Sequence, residues 1–312
     1  MKKYFRKWVV FWLLLLCPWL VNGQELKDRV IEGILDNGLK VLMMERHASP
    51  TVAAYILFKA GSVDETEGSY GIAHMLEHML FKGTKTIGTR NYQQEKPILE
   101  EIERLVEEIA AEKAKKENSD ANRIAELEKK LNTKQEEQKA FFIRGEYESL
   151  YTRHGGVGFN AGTSNDYTIY TIELPANKLE LWTFLESDRL KNHVFREFYI
   201  ERNAVAEERR MRVDTDPQGK LFETFLSTAF RRNPYGRPIL GYEADIEGMT
   251  TKKAAEFFRI HYAPGNSVMV IVGDINPEHT LSLIKAYFGD LPSQLLPEWI
   301  PEKEPKQNEQ RR

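Results

Sequence analysis

Residues 69–82 are the segment that most restricts how this chain can fold. Apolar side chains recur there at helical spacing, at Ile72, Met75, Leu76, Met79 and Leu80. This spacing predicts a helix, and the small polar face that remains predicts that the helix is largely buried. His74, Glu77 and His78 would then lie inside the protein, where polar groups need partners. The fold must therefore surround this helix and satisfy two imidazoles and one carboxylate.

The stretch HMLEHMLFKGT at residues 74–84 has the spacing of a metal site. Residues four apart lie on the same face of a helix, so His74 and His78 can present both imidazoles to one ion. Glu77 stands one turn after His74, near such an ion but available to a water molecule. Two histidine ligands and a glutamate base in the order H-x-x-E-H are typical of a zinc hydrolase. An amphipathic helix with exposed histidines is disfavoured because the flanking residues leave little polar face.

The first 23 residues differ from the rest of the chain. A basic start with Lys2, Lys3, Arg6 and Lys7 precedes an apolar run of 14 residues from Trp8 to Val21, and Asn22-Gly23 follows. This pattern predicts a secretory signal peptide over 1–23, since a membrane-spanning helix needs about 20 apolar residues. We therefore expect export, to the periplasm or outside the cell, and no stable membrane span after cleavage.

Cys17 is the single cysteine, and it lies within the predicted signal peptide. A lipid anchor at Cys17 is disfavoured because Leu16 is too bulky for the position before a lipidated cysteine. The mature chain would have neither a disulfide nor a thiolate ligand, so a zinc site must use imidazole and carboxylate. The candidates for a third ligand are His154, His193 or a carboxylate.

The strongest carboxylate candidates lie in ERNAVAEERR at residues 201–210. Glu201 and Glu208 are seven residues apart, which is two helical turns, so they share one face. Glu207 lies about 100° away from that face.

The apolar runs predict an α+β fold, a mainly antiparallel sheet packed with helices, in a domain over residues 24–292. Strand patterns occupy 29–60, with a hairpin turn at Asn37-Gly38 and a strand at 51–62, and then 156–164, 166–174 and 267–275. Helical patterns occupy 177–191, 197–213 and 217–230, a segment that starts near Thr250, and 277–288.

Two segments stand apart from this domain. Residues 95–147 have two apolar seams around a polar stretch at 116–123 and predict an inserted α-helical hairpin. Its composition favours a solvated spacer over a docking arm. The tail at 293–312 has prolines among charged residues and reads as a linker. A net charge of −3 with interspersed acidic and basic residues gives no reason to expect nucleic-acid binding.

Six segments carry a resemblance to a known family. They are AGSVDETEGSYGIAHMLEHMLFKGT (60–84), NAGTSNDYTIY (160–170), LESDRL (185–190), ERNAVAEERRMRVDTDP (201–217), NPYGRPILG (233–241) and YAPGNSVMVIVGDI (262–275). In this order they resemble the pitrilysin/insulinase family of metallopeptidases, which includes the mitochondrial processing peptidases. The resemblance covers nearly all of residues 27–292 except the helical hairpin.

The resemblance implies roles for individual residues. His74, His78 and Glu208 would bind one zinc ion per chain, Glu77 would be the general base, and Glu201 would support the site from behind the ligands. Helical phase also pairs Glu201 with Glu208 and so favours Glu208 over Glu207. The peptide or unfolded protein substrate would lie extended along an edge strand at residues matched by Asn160, Ala161 and Gly162.

The chain departs from the family in two respects. His78 and Glu208 are 130 residues apart, which exceeds the family's usual separation because the hairpin lies between them. Family enzymes also use two related domains, in one chain or in paired subunits, and one domain is recognisable here. Two functions are therefore expected: an exported zinc metalloendopeptidase that hydrolyses extended peptides or unfolded segments, or a zinc-loaded peptide-binding subunit that needs a second homologous domain. A third hypothesis is a scaffold that acts through the hairpin.

Overall fold

The computed structural model describes residues 26–294, 296 and 303–309. The predicted signal peptide at 1–23 lies outside the described residues, as does half of the predicted tail. Six strands form the sheet: β1 (Ile31–Ile34), β2 (Lys40–Glu45), β3 (Thr51–Phe58), β4 (Val157–Thr163), β5 (Thr168–Pro175) and β6 (Ser267–Gly273).

The strands form one sheet in the order β1-β2-β6-β3-β5-β4. All neighbouring pairs are antiparallel except β2 and β6, which run parallel. The predicted α+β fold with a mainly antiparallel sheet is confirmed. The parallel pair forms because β6, the last of the described strands, inserts between β2 and β3. β4 lies at one edge, with β5 as its neighbour on the other side.

Two local features of the sequence account for the strands: buried and partly exposed residues alternate along them, and a tight turn joins β1 to β2. Residues of β3 and β6 alternate between buried and partly exposed, which is the pattern of strands with unequal faces. Between β1 and β2, Gly38 adopts φ +89°, which favours glycine. Asn37 fixes the turn to the last helix, because its Nδ2 donates to the carbonyl of Phe288 at 2.8 Å.

Ten helices accompany the sheet within the described residues. They are α1 (Ile72–Met79), α2 (Tyr92–Lys113), α3 (Ala121–Lys139), α4 (Glu146–Arg153), α5 (Leu179–Asn192), α6 (Phe198–Arg209), α7 (Pro217–Ala229), α8 (Glu243–Glu247), α9 (Thr251–His261) and α10 (Pro277–Phe288). Thr250 caps α9, as its sequence position predicts, by accepting a hydrogen bond from the backbone of Lys253. The predicted helix at 69–82 is shorter than expected, because Gly71 at its start adopts φ +93°.

The inserted hairpin consists of α2 and α3, so its bounds differ from the predicted 95–147. Its second helix ends at Lys139, and Tyr147 belongs to the separate helix α4, where Tyr147 and Tyr151 are buried in the main core. These aromatic residues face the sheet, so they are part of the domain. Away from the base, Leu105, Ile109 and Leu127 form a small cluster of their own.

The base of the hairpin is buried, so the interpretation of the whole segment as a solvated spacer is wrong there. Glu95 on α2 and Arg196 just before α6 are both fully buried and form an ion pair at 2.8 Å. Gln138 near the end of α3 donates to the same carboxylate at 3.3 Å. The polar composition of the segment predicted solvent exposure, but at the base these polar groups are buried because they pair with one another inside the protein.

Candidate metal centre

Helix α1 is held at its start by a buried carboxylate. Glu65 accepts hydrogen bonds from the backbone N–H groups of Gly71 at 2.8 Å and Ala73 at 2.9 Å. Burial raises the pKa of Glu65 to about 8, against the lowering effect of these two bonds. A side chain at position 71 would meet the carbonyl of Leu240 at 2.6 Å, so glycine is required there. These contacts fix α1 against the rest of the domain.

Three predicted ligands meet between α1 and α6. Nε2 of His74 lies 3.8 Å from Oε2 of Glu208, and Nε2 of His78 lies 3.5 Å from the same oxygen. The ligand atoms of all three residues lie within 4.8 Å of one another. Donors about 2.0 to 2.2 Å from one tetrahedral ion would be separated by about 3.5 Å, so this arrangement fits zinc. Three protein ligands and one remaining position are also the number that catalytic zinc sites use.

The two imidazoles differ in electrostatic environment. Burial lowers the pKa of His74 to about 3, and the charges of His78 and Arg212 act in the same direction. His74 is therefore neutral near pH 7, which is the form that binds metals. Within the described residues its buried Nδ1 has no hydrogen-bond partner. Burial lowers the pKa of His78 as well, but its hydrogen bond to Glu201 and nearby carboxylates outweigh this and raise the pKa overall.

Glu201 holds His78 from the side opposite Glu208. Its Oε1 lies 2.9 Å from Nδ1 of His78, and its other oxygen pairs with Lys82. With the proton on Nδ1, Nε2 of His78 keeps its lone pair directed towards Glu208. Although burial opposes ionisation of Glu201, the hydrogen bonds from His78 and Lys82 lower its pKa to about 2.

Glu77 connects the metal centre to the edge of the sheet. Thr163, the last residue of β4, donates a hydrogen bond from Oγ1 to Oε2 of Glu77 at 2.6 Å. The carboxylate is thereby placed between the helix of the two histidines and the edge strand. Asn160, Ala161 and Gly162 lie on this edge strand, opposite Thr171, Tyr170 and Ile169 of β5.

A cleft of about 500 Å³ opens beside the centre. Its lining includes Glu77, His78 and Asn160, together with an aromatic wall of Phe81, Tyr147 and Phe159. Behind the wall lies the buried guanidinium of Arg189, which is 4.6 Å from the ring centre of Tyr147 and 5.5 Å from that of Phe159. These cation–π contacts fix the wall against the core.

The other candidate ligands lie elsewhere. His154 directly follows α4, and its Nδ1 is 2.7 Å from the carbonyl of Leu150. His193 packs against Phe195 and Phe258. Glu207 is exposed and pairs with Arg210 at 2.8 Å, whereas Glu208 faces the histidines.

The sequence interpretation missed Lys82, Thr163 and Arg189. Lys82 had a usable signal, because residues 74, 78 and 82 are spaced by four and share one helical face. The partner of Thr163 is 86 residues away. The aromatic rings around Arg189 come from α4, β4, β5 and the loop after α1. Such contacts have no local pattern in the sequence.

The segment that carries the candidate centre matches the model of a known peptidase family. A family model described as Insulinase (Peptidase family M16) matches residues 40–111 and 105–243, a range that includes His74, Glu77, His78 and Glu208. A second model, described as Peptidase M16 inactive domain, matches residues 248–312. The chain therefore belongs to peptidase family M16.

Particular relatives agree with this assignment. The chain is 32% identical over 280 residues to the zinc protease PqqE of Helicobacter pylori, covering 88% of this chain and 50% of the relative. It is 26% identical to the human mitochondrial-processing peptidase subunit beta, covering 82% of this chain and 41% of that protein. The chain thus spans about half the length of these curated relatives.

Solved structures have the same architecture. A protease from Helicobacter pylori superposes with a TM-score of 0.68 at 29% identity, covering 89% of this chain and 55% of that one. The periplasmic protease PqqL from Escherichia coli superposes with a TM-score of 0.65 at 21% identity, covering 90% and 26%, and shows the fold alone. Among the described residues, no helix combines the length and apolarity needed to cross a bilayer.

Proposed function

We propose that the protein is an exported zinc metalloendopeptidase that hydrolyses extended peptides or unfolded polypeptide segments. The observation that carries this proposal is the position of Glu77. It lies on the same helix as His74 and His78, and it is hydrogen-bonded to the end of an edge strand. A base, a candidate metal site and a peptide-binding edge are thus adjacent.

His74, His78 and Glu208 would hold the zinc ion. When bound, zinc supplies Lewis acidity, which polarises a peptide carbonyl and makes water easier to deprotonate. Glu77 takes the proton from the attacking water and passes it to the departing amine. Thr163 orients the Glu77 carboxylate for both transfers, and Glu201 with Lys82 keeps the His78 imidazole in place.

Substrate would bind by adding a strand to β4. An edge strand offers unpaired backbone N–H and C=O groups, which bind an extended peptide with little demand on its sequence. Asn160, Ala161 and Gly162 would supply these groups, and the cleft beside Asn160 would take a substrate side chain. This mode of binding suits unfolded segments, since folded proteins have already paired their backbone.

Replacement of the base tests the proposal. Glu77→Gln should reduce cleavage of a flexible fluorogenic peptide by at least about 100-fold. Zinc content should stay near one ion per chain, because Glu77 is not one of the three proposed ligands. Cleavage at the wild-type rate by Glu77→Gln would show that this mechanism is wrong.

Export is supported by the pattern of residues 1–23, in which a basic start precedes an apolar run too short to span a bilayer. Fusing residues 1–30 to a reporter enzyme that is active only outside the cytoplasm tests this assignment. A fusion that remains uncleaved in the cytoplasm would contradict it.

A second candidate function is a zinc-loaded peptide-binding subunit that acts with a second homologous domain. The observation that favours it is the apolar face of α7, where Leu221, Phe222 and Phe225 are 71%, 62% and 62% exposed. Exposed apolar patches commonly mark contact with another chain or domain. If the wild-type chain binds zinc and peptide but cuts no peptide alone, this function is favoured over the first.

A further inference from the structure

The inserted hairpin of α2 and α3, together with its flanking residues 88–91 and 140–144, is joined to the start of α6 at several points. Three residues at this start each contact it: Arg196, Glu197 and Tyr199. These contacts lie at the start of the helix that carries Glu201 and Glu208, two carboxylates of the candidate metal centre. The two legs of the hairpin are also paired with each other, through the backbone bridge between Thr89 and Phe142.

Arg196 is the deepest of the three contacts. Its Nε lies 2.8 Å from both carboxylate oxygens of Glu95 on α2, and both side chains are fully buried. Its other N–H groups donate to the carbonyls of Thr84 at 2.5 Å and Ile87 at 3.2 Å. These carbonyls lie in the loop after α1, so one guanidinium joins the hairpin, that loop and the start of α6.

Tyr199 provides the contact within α6 itself. Its hydroxyl donates to Oε2 of Glu103 on α2 at 2.7 Å, and Thr251 donates to the same oxygen at 2.6 Å. Tyr199 precedes Glu201 by two residues, so a shift of the first turn of α6 would move the carboxylate that holds His78. Glu103 is therefore linked to the candidate metal centre indirectly: it contacts Tyr199, and the same helical turn carries Glu201, which contacts His78.

Glu197 shows that this start is constrained. It has φ +53°, in the left-handed region that non-glycine residues rarely adopt, and its side chain is buried. Such a conformation persists where surrounding contacts impose it. Arg144, on the returning leg of the hairpin, contacts the Glu197 carboxylate at 2.9 Å, and Lys82 lies 3.9 Å from it.

We propose that the hairpin clamps the first turn of α6 and so positions Glu201 and Glu208 against His78 and His74. The clamp is defined as the residues Glu95, Glu103 and Arg144. They are positioning residues, since they act through Arg196, Tyr199 and Glu197 and touch no ligand of the centre. This inference rests on the proposed zinc site and adds that the insertion helps to build it.

Zinc affinity of the full chain, measured by competition with a chromogenic chelator, tests the clamp. Glu103→Ala should raise the zinc Kd by about fivefold, below the roughly 10- to 100-fold effect of groups that touch a ligand directly. Glu103→Gln keeps an oxygen acceptor for Tyr199 and Thr251 and should restore the Kd to nearly the wild-type value. Glu128→Ala, which removes an exposed hairpin carboxylate paired with Lys113, should leave the Kd unchanged.

Melting temperatures separate positioning from simple stabilisation. A purely structural role would lower the Tm of the zinc-free and zinc-loaded protein equally. The clamp predicts instead that the rise in Tm on adding zinc becomes smaller in Glu103→Ala.

Each outcome decides one question. A Kd for Glu103→Ala equal to that of the wild type would overturn the clamp, whereas a wild-type chain that binds no zinc would overturn the proposed function itself. If Glu103→Ala does not fold, Tyr199→Phe removes the same contact by deleting one hydroxyl. Its zinc Kd should then rise by about threefold, and an unchanged Kd would again contradict the clamp.

Discussion

Helix α1 and the inserted hairpin are both helical, yet they use polar residues in opposite ways. α1 buries six of its eight residues, whereas α2 buries four of 22 and α3 two of 19. The polar side chains of α1 face the candidate metal centre, while most of those on the hairpin form exposed ion pairs. The same helical periodicity therefore indicates two different things. Polar residues that interrupt an apolar face indicate a buried polar site, whereas polar residues that cover a whole face indicate exposure to solvent.

The hairpin base departs from this contrast. Glu95, Gln138 and Arg196 are more deeply buried than His74 and His78, the candidate ligands on α1. They belong to the frame around the candidate metal centre. The hairpin is thus a solvated arm with an embedded base. Deleting residues 96–146 would remove Glu103 and Arg144, which contact Tyr199 and Glu197 at the start of α6. Such a deletion should therefore disturb the rest of the domain as well as the hairpin.

The sharpest test of the contrast replaces one buried leucine in each region. Leu76→Ala in α1 should reduce the free energy of unfolding by about 4 kcal/mol, since it leaves a cavity in the main core. Leu105→Ala in the small hairpin cluster should reduce it by about 2 kcal/mol, because the hairpin can open locally. Chemical denaturation measures both. Equal losses would show that the hairpin cluster and the main core unfold together.

A second test compares adjacent glutamates on α6. Glu208→Gln should weaken zinc binding by about 100-fold, or about 2.7 kcal/mol, because it removes one of three ligands. Glu207→Gln should leave zinc binding unchanged, since Glu207 is exposed and pairs with Arg210. Isothermal titration with zinc distinguishes them, and a larger effect at Glu207 would contradict the assignment of the ligand.

The residue behind the ligands should have an intermediate effect. Glu201→Gln should weaken zinc binding by about tenfold, or about 1.4 kcal/mol, because the amide holds His78 without a full charge. Lys82→Met should weaken it less, since Lys82 acts through Glu201. Chelator competition ranks the two variants, and the reverse order would show that Lys82 contacts the centre more directly than this structure indicates.

The smallest effect should come from the exposed part of the hairpin. Lys113 pairs with Glu128 at 2.8 Å, and the two side chains are 57% and 48% exposed. Lys113→Ala should change the free energy of unfolding by less than about 0.5 kcal/mol, because water screens such pairs. A loss above about 1 kcal/mol would mean that this face is covered by another surface in solution.

Local sequence patterns were sufficient to predict most helices and strands and part of the candidate metal centre. The spacing of His74 and His78 predicts that they share one helical face, and their rings do lie together on α1, because an α-helix repeats every 3.6 residues wherever it lies. The same argument pairs Glu201 with Glu208 and excludes Glu207 from their face. Turn residues at Asn37-Gly38 and the cap at Thr250 also act locally, so the sequence alone placed them.

Contacts between residues far apart in the chain were visible only in the tertiary structure. It brought Glu208 to the two histidines while His154 and His193 were placed elsewhere, and it joined Thr163 to Glu77. It also buried Glu95 of an apparently solvated hairpin against Arg196, 101 residues further along. The physical reason is that the partner of a buried polar group depends on how whole helices and strands pack together, and local periodicity in the sequence carries no information about that packing.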